Sequence, residues 1–371
     1  MKGQWIGDYR GGADGRMIVN VDELPTCFEG MAYLHPHNGR FPRAEAHFTT
    51  AGKNSPFSFR TTWLQPLHPD NGNPVAWATI KDRFPADVAF STYVDVNGTF
   101  TKDELTLNWK SDVGADGSCV LPRSKASDVS FLQADQPTWE EFKAQAIEFG
   151  RKGYIMRGQS KAWRLRTAFH RTGRANLAKF LGHDIPALHQ HLSARTKHYF
   201  QLTDPLQNAA FLSLAQHHGY PTNLLDWTKS PYVAAFFAYR TVSRSDLEKA
   251  TEESRVRIHV FDLPSWRRLV QQVAAVASPI MHVSLVDVLA IENERLIPQQ
   301  AVALISSVDD IESYIRTHEE AVTRTFLRAI DLPMLDRAKV MEELRFMGIT
   351  AGSLFPGLDG ACEELKERNF Q

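Results

Sequence analysis

The sequence contains few cysteines and no long apolar run. Its 371 residues include only 3 Cys, at positions 27, 119 and 362, and no CxxC pair. These thiols cannot form a disulfide framework or a thiolate zinc site, which is typical of a reducing compartment, so we expect a cytoplasmic protein. No stretch approaches the roughly 18 apolar residues that a membrane-spanning helix needs. Residues 1–15 lack the layout of a signal peptide, so membrane insertion and secretion are not expected.

Common nucleotide and metal motifs are also absent. The sequence has no GxGxxG opening a helix after a strand, no GxxxxGK[ST] and no GxSxG, which excludes Rossmann and P-loop chemistry. Two histidine pairs, His217 with His218 and His35 with His37, suggest metal binding. Neither pair has a third ligand at helical spacing, so we predict no metal site.

Charge is balanced in total but unevenly distributed. The chain has 42 Lys and Arg against 43 Asp and Glu, a net charge of -1. Between Arg151 and Thr203, however, eleven basic residues stand against one acidic residue, Asp184. This basic segment implies an anionic ligand at the surface, or acidic partners elsewhere in the fold or in another chain; the alternative is a solvated basic helix pair.

The first 125 residues have the pattern of an antiparallel β domain. Partly alternating runs occur at 17–21, 57–63, 75–80 and 105–109. Turn sequences between such runs include Asp14-Gly15, Asn97-Gly98 and Asp116-Gly117. Because Asn-Gly and Asp-Gly favour the tight turns of β-hairpins, residues 1–125 are predicted to form an antiparallel β sandwich or barrel.

A polar linker, 126–136, is predicted to precede a second domain, 137–371. Thr138 is a candidate helix N-cap, and Glu141 is its capping-box partner. The hydrophobic patterns beyond it predict an α+β domain without regular βαβ alternation. Helices are predicted near 138–150, 162–172, 185–200, 205–217, 230–243, 309–330 and 335–347. Strands are predicted near 153–156, 256–262 and 301–306.

Three segments of the second domain form a recognisable pattern. They are 154–159, 216–238 and 293–301, and a glycine-rich tail follows at 348–360. Their order and wording resemble the FRG domain, which is named for an aromatic or apolar residue followed by Arg and Gly. Here that motif reads Met156-Arg157-Gly158-Gln159. The second segment matches the family pattern almost throughout, whereas the third has Ala301 or Val302 where Gly is usual. The resemblance covers about 137–360.

The order of these elements is also similar to that of ADP-ribosyltransferases, which bind NAD in a split sheet. The resemblance implies that Arg157 clamps the pyrophosphate, because an arginine fork can bind it bidentately. It implies catalytic roles for Arg157, Thr228, Gln300 and Asp226. It implies NAD contacts for Arg157, Gly158, Gln159, His218, Asn223, Trp227 and Arg295.

The residue that supplies the catalytic carboxylate stays open at this stage. No ExE or QxE motif follows Arg295. Gln300 is the expected hydrogen-bonding residue of the third segment, and a glutamate such as Glu292, Glu294 or Glu343 is the alternative. Asp226 has two interpretations of equal weight, a site residue or a cap of the 230–243 helix.

The expected function is transfer of ADP-ribose from NAD to a macromolecule by a toxin or anti-phage effector. Because the basic segment has more charge than NAD requires, RNA or DNA is favoured over protein as the acceptor. An antitoxin or inhibitor protein is a further expected partner. The alternatives are a non-catalytic module that binds a nucleotide or nucleic acid, and an NAD glycohydrolase.

Overall fold

The computed structural model describes residues 1–126, 129–273 and 279–370. Two residues of the predicted linker, 127 and 128, lie outside the described part, as do 274–278 and 371 of the predicted second domain. The described chain is a mixed α+β protein with two β-sheets. The first sheet lies within 3–122, and the second uses strands from 134 onward.

The first sheet is antiparallel and nearly closed into a barrel. Its strands are β1 (Gly3–Gly11), β2 (Gly15–Glu23), β3 (Phe28–Pro36), β4 (Ala44–Thr49), β5 (Phe57–Thr61), β6 (Leu64–Pro66), β7 (Val94–Phe100), β8 (Glu104–Ser111) and β9 (Asp116–Pro122). Their order is β5-β7-β8-β9-β1-β2-β3-β4-β6. Most neighbours are consecutive in the chain, as in an up-and-down barrel.

The two edges of this sheet are joined by one stretch of chain. β5 pairs with β7 at one edge, and β6, only a few residues later, pairs with β4 at the other. Between them, the Thr61 hydroxyl donates to the His47 carbonyl at 2.6 Å, and the His47 N–H donates to the Trp63 carbonyl at 3.1 Å. The sheet therefore curls until its edges meet, and of the two predicted forms it is the barrel.

Two local predictions in this region are wrong. The predicted strand 75–80 contains instead a short helix, α1 (Trp77–Ile80). Asn97-Gly98 lies inside β7 rather than in a hairpin turn. A Cβ on Gly98 would lie 2.4 Å from the Phe57 ring, so this glycine makes room for an aromatic side chain on the neighbouring strand.

The second sheet consists of β10 (Ala134–Asp135), β11 (Ile155–Gln159), β12 (Leu224–Thr228), β13 (Arg255–Phe261), β14 (Val283–Val286), β15 (Ala301–Ser306) and β16 (Leu327–Pro333). Their order is β10-β16-β13-β11-β12-β15-β14, and β10 with β16 is the parallel pair. The first part of β16, 327–330, lies within the predicted helix 309–330. That helix ends at Val322 because Thr323 adopts a left-handed conformation, φ 50°.

The helices flank the second sheet. They are α2 (Trp139–Arg151), α3 (Ala168–Arg171), α4 (Leu177–Lys179), α5 (Ile185–Leu192), α6 (Pro205–His217), α7 (Pro231–Arg240), α8 (Arg244–Glu248), α9 (Leu263–Leu269), α10 (Ile311–Val322), α11 (Arg337–Phe346), α12 (Ala351–Leu354) and α13 (Leu358–Phe370). Short 3-10 turns lie at Lys81–Arg83 and Met334–Asp336, and a π-helical turn lies at Phe180–Asp184. The predicted capping box of Thr138 and Glu141 is confirmed at the start of α2.

Buried polar contacts join the barrel to the second sheet. Gln4 on β1 donates to the Ser307 carbonyl at 2.9 Å and accepts from the Asp309 N–H at 2.9 Å. Asp22 on β2 accepts from Arg174 at 2.7 Å. The predicted domains therefore share a hydrogen-bonded interface, and the end of the predicted linker contributes β10 to the second sheet.

Candidate functional site

A cleft of about 420 Å³ lies where β11 and β12 separate. These neighbouring strands share one register pair, Met156 with Thr228. β11 pairs with β13 over five residues, and β12 pairs with β15 over five. Because the backbone ladder between β11 and β12 is so short, side chains of both strands border the cleft.

Arg157 on β11 spans this separation. Its Nη1 donates to the carbonyl oxygen of Asp226 on β12 at 2.6 Å. Its Nε is buried and has no hydrogen-bond partner among the described residues. Burial, and to a smaller extent the charge of Arg171, lowers the pKa of Arg157 to about 10, which leaves it protonated at pH 7. Among the described residues, the guanidinium is thus anchored by this one hydrogen bond.

Two further arginines, Arg171 and Arg295, line the same cleft. The guanidinium of Arg295 lies over the Phe355 ring, 4.9 Å from its centroid, and its buried Nε has no partner within the described chain. Desolvation and the charge of Arg295 lower the pKa of His217 to about 4, so this cleft residue is neutral at pH 7. The cleft thus has three cations, which favours an anionic ligand.

Asp226 is the only carboxylate among the described residues that line the cleft. It is exposed, and its Oδ2 accepts from the Gln216 side-chain amide at 2.6 Å. The N-cap of α7 is Ser230, whose side chain accepts from the Val233 N–H. The interpretation of Asp226 as the cap of this helix is therefore wrong.

The Gln159 side chain is held in one orientation. Its amide nitrogen donates to the Trp163 carbonyl at 3.0 Å and lies 3.3 Å from His259 Nδ1. Burial lowers the pKa of His259, which favours the neutral ring, and Nδ1 accepts from Gln159 when the ring proton is on Nε2. Its Nε2 lies 3.6 Å from Glu312 Oε1. With both amide protons directed away, the carbonyl oxygen of Gln159 is the end that can accept from a ligand.

Thr228 borders the cleft and also connects two chain segments. Its hydroxyl donates to the Gln299 carbonyl at 2.7 Å and accepts from the Ser230 N–H at 3.0 Å. The Gln299 side chain in turn donates to the Leu354 carbonyl at 2.9 Å. Thr228 therefore holds the wall of the cleft in place.

Gly158 is required by helix packing. A Cβ at this position would lie 1.9 Å from the Ala234 carbonyl oxygen and 2.6 Å from the Ala238 nitrogen, both on α7. The space that its missing side chain leaves is occupied by α7. Gly158 also lines the cleft, and the expectation that it lets the backbone approach a ligand stays a prediction.

Several predicted site residues lie elsewhere. Gln300 is exposed, with φ 47°, and its neighbour Gln299 lines the cleft instead. His218 is exposed and outside the cleft, whereas His217 lines it. Asn223 is fully buried in the core. Trp227 borders the cleft, but its ring is 3% exposed and packs against Phe261, so it cannot stack on a ligand.

The candidate glutamates do not line the cleft either. Glu292 accepts from the His198 N–H at 2.5 Å, and Glu294 is exposed. Glu343 accepts from Lys143 at 2.6 Å and from the Trp139 indole at 2.9 Å. Their side chains are therefore placed for other contacts.

Among the cleft residues that sequence reasoning missed are Trp163, Arg171, Gln216 and His217. Arg171 belongs to the basic segment, and Gln216 is the first residue of the second motif. The sequence therefore contains an indication that both residues matter. Trp163 is 52% exposed, and its position beside the cleft depends on the loop after β11. The sequence contains no signal for that placement.

Most of the basic segment is neutralised within the fold. Six of its eleven cations contact carboxylates, namely Lys152 with Glu148, Lys161 with Asp246, Arg164 with Asp310, Arg166 with Asp309, Arg174 with Asp22 and Lys179 with Glu29. Arg157 and Arg171 have no such ion pair among the described residues. The acidic partners of six cations are thus in the fold itself, and Arg157 and Arg171 are two of the five cations without such a partner in the described part of the chain.

The match to a known family covers the two strands that border this cleft. An FRG domain is found at residues 152–247. This range contains Arg157, Gly158, Gln159, Asp226 and Thr228, and it ends before Arg295. The FRG match is therefore shorter than the expected 137–360.

Other comparisons add little. No curated protein matches the chain. A de novo designed fluorescence-activating β barrel matches at 17% identity with a TM-score of 0.22, and the match covers 33% of this chain and 94% of the designed one. No helix within the described ranges is long and apolar enough to cross a membrane. The described residues contain no group of three His, Cys, Asp or Glu side chains that could hold a metal ion.

Proposed function

We propose that the cleft binds NAD and that the protein transfers ADP-ribose from it to a macromolecular acceptor. The observation that carries this proposal is the set of three cleft arginines beside one carboxylate, at a point where two strands of the sheet separate. A pyrophosphate fits this charge pattern, because guanidinium groups bind phosphate oxygens bidentately. The order of elements in ADP-ribosyltransferases, with NAD in a split sheet, is similar.

The proposal assigns binding roles to five cleft residues. Arg157 and Arg171 bind the pyrophosphate, and Arg295 extends the cationic wall. The carbonyl oxygen of Gln159 accepts from a ribose hydroxyl or from the nicotinamide amide. The exposed ring of Trp163 provides an aromatic face on which a base can stack.

Asp226 is the proposed carboxylate. In the reaction the bond between nicotinamide and ribose C1′ breaks, and its electron pair leaves with nicotinamide. The positive charge that develops on the ribose is stabilised by a nearby anion. An oxygen or nitrogen of the acceptor then bonds to C1′ and releases its proton, which Asp226 accepts and passes to water.

The acceptor and cellular role are parts of the same proposal. RNA or DNA remains the first acceptor to test, although six ion pairs within the fold reduce the charge available for nucleic acid. Such a transferase would act as a toxin or anti-phage effector in the cytoplasm, where NAD is present. An antitoxin or inhibitor protein would then restrain it.

A second candidate, a non-catalytic nucleotide-binding module, is favoured by one contact. The Asp226 carboxylate already accepts a hydrogen bond from Gln216 at 2.6 Å, which lowers its availability as a base. Binding without turnover would fit this arrangement. Release of nicotinamide without any transfer would instead identify an NAD glycohydrolase.

The binding test compares Arg157→Lys with Arg151→Lys by isothermal titration with NAD. Arg151 is an exposed residue at the end of α2 and serves as the matched control. We expect Arg157→Lys to weaken NAD binding at least tenfold, because lysine cannot bind bidentately, and Arg151→Lys to bind normally. Equal affinity in both variants would contradict the clamp.

The chemical test uses Asp226→Asn, which preserves the shape of the side chain. With labelled NAD and total RNA, DNA or protein extract, the wild type should release nicotinamide and label one acceptor class. We expect Asp226→Asn to bind NAD with less than a threefold change but to react at least about 100-fold more slowly. Binding without release in the wild type under every acceptor condition would support the second candidate.

A further inference from the structure

The N-terminal barrel contains a second cavity, of about 470 Å³. It shares no lining residue with the cleft of the second sheet. Its walls are the inward faces of the strands, including Met17, Ala32, Phe59 and Trp109. Barrels of about eight strands have an interior that side chains just fill or that holds one small ligand. The sheet here has nine strands, so the packing of its interior decides between the two cases.

One end of the barrel interior is filled. Trp5, Val21, Leu105 and Leu121 are at most 1% exposed and pack together there. The Trp5 indole also donates to the Met1 carbonyl at 2.7 Å. This end is therefore closed by close-packed side chains.

The other end of the interior is open. Ala32, Leu34, Val96 and Trp109 belong to the same inward-facing cluster, but they remain partly exposed because they face the cavity. The hairpin loops β1–β2, β3–β4 and β8–β9 surround this mouth, together with the segment 87–91 that precedes β7. Protein interiors rarely leave apolar space of this size unfilled, which indicates space for a ligand.

Two polar side chains of the wall already have hydrogen-bond partners. Thr61 donates to the His47 carbonyl, and the Ser111 hydroxyl accepts from the Ala115 N–H at 3.1 Å. A ligand inside the barrel thus finds mainly apolar and aromatic atoms. Apolar cavities can take up apolar molecules.

The charges at the mouth restrict the class of ligand. Three carboxylates line the cavity, Glu45, Asp87 and Asp116, and Arg40 is paired with Asp87. A fatty acid or another anionic amphiphile would bring its charge against these carboxylates, which disfavours it. An uncharged molecule does not have this cost.

We propose that the barrel interior is a binding site for one small, uncharged, apolar molecule. The site is independent of the NAD proposal, because it lies in the other sheet and uses none of the same residues. The ligand enters between the loops at the open end, and its apolar body contacts the rings of Phe48, Phe59 and Trp109.

The test titrates the full chain with Nile red, a neutral lipophilic dye whose fluorescence rises in apolar surroundings. We expect saturable binding of one dye per chain. We expect 1-dodecanol to displace the dye and dodecanoate to do so at least tenfold less effectively, since the two probes differ only in the charged end. Absence of saturable binding, or equal displacement by both probes, would overturn the proposal.

Location is tested with a matched pair of substitutions. Ala32→Phe fills the cavity, whereas Val120→Phe adds the same ring on the outer face of β9, where Val120 is 54% exposed. We expect Ala32→Phe to weaken dye binding at least tenfold and Val120→Phe to leave it unchanged. If circular dichroism shows that Ala32→Phe does not fold, the milder Ala46→Leu replaces it, with at least a threefold loss expected. A folded cavity variant that binds as the wild type does would refute the location.

Discussion

Substitution of Gly158 by alanine tests the role assigned to the glycine of the Arg-Gly motif. The added Cβ would lie 1.9 Å from the Ala234 carbonyl oxygen and 2.6 Å from the Ala238 nitrogen. Both atoms belong to the backbone of α7, so no side-chain rotation can relieve the overlap. The helix would have to move by roughly 1.5 Å to restore normal contact distances.

The expected cost follows from the packing of α7. Seven of its ten residues are buried, and the helix packs on β11 and β13 in the main core of the second sheet. Overpacking a core typically costs 1–3 kcal/mol, and a clash with rigid backbone belongs at the upper end. We therefore expect Gly158→Ala to lower the free energy of unfolding by about 3 kcal/mol, measured as a lower urea midpoint by tryptophan fluorescence.

Gly150→Ala is the matched control. Gly150 lies within α2, and a Cβ there would meet no heavy atom within 4 Å. Alanine is the better helix former, so this variant should gain about 0.5–1 kcal/mol in stability. If Gly158→Ala instead unfolds at the same urea concentration as the wild type, the packing argument is refuted. If it also loses NAD binding, the glycine serves ligand approach after all.

Two further substitutions probe buried carboxylates of the barrel. Burial raises the pKa of Glu45, which is 6% exposed, to about 7. The folded chain therefore retains a proton that the unfolded chain loses near pH 4.5, so stability falls as the pH rises from 4.5 to 7. Glu45→Gln should match the wild type at pH 4 and be more stable than the wild type at pH 8, by up to about 3 kcal/mol. If the variant and the wild type are equally stable at pH 8 as well, the raised pKa of Glu45 is contradicted. Asp22 is 3% exposed and accepts from Arg174 and from the backbone N–H groups of Ala175 and Asn176. Asp22→Ala should lower the free energy of unfolding by about 3 kcal/mol, because these donors lose their acceptor. The exposed pair of Asp8 and Arg16 is the control, and Asp8→Ala should change stability by less than about 0.5 kcal/mol; similar losses in both variants would contradict the interface argument.

Local features were predictable where a few neighbouring residues decide the structure. The capping box at Thr138 and the helix at 205–217 follow from side-chain chemistry within one or two turns. The strand 301–306 has the expected bounds because its apolar run is short and continuous. In contrast, 75–80 has the partial alternation of a strand, but only Val75 hydrogen-bonds to the end of β6, at Pro66, and the short helix Trp77–Ile80 follows.

The composition of the cleft was predictable only in part. The motif residues Arg157, Asp226 and Thr228 do line one cleft, although 69 or more residues separate the first from the others. The choice between adjacent residues failed at two places, His217 against His218 and Gln299 against Gln300. In each case the two residues lie at the end of a helix or strand, where adjacent side chains point in different directions. Which of the two faces the cleft depends on the residue at which the element ends.

The sequence by itself determined the class of the chain, the β character of its first part and the residues of the Arg-Gly motif, because these depend on composition and on local patterns. Only the tertiary structure decided how the first sheet closes. The closure requires that two strands of the segment 57–66 pair at opposite edges of the sheet, β5 with β7 and β6 with β4. The tertiary structure also decided which cations stay unpaired. Ion pairs such as Arg174 with Asp22 join residues about 150 positions apart, and folding alone brings their charges within contact.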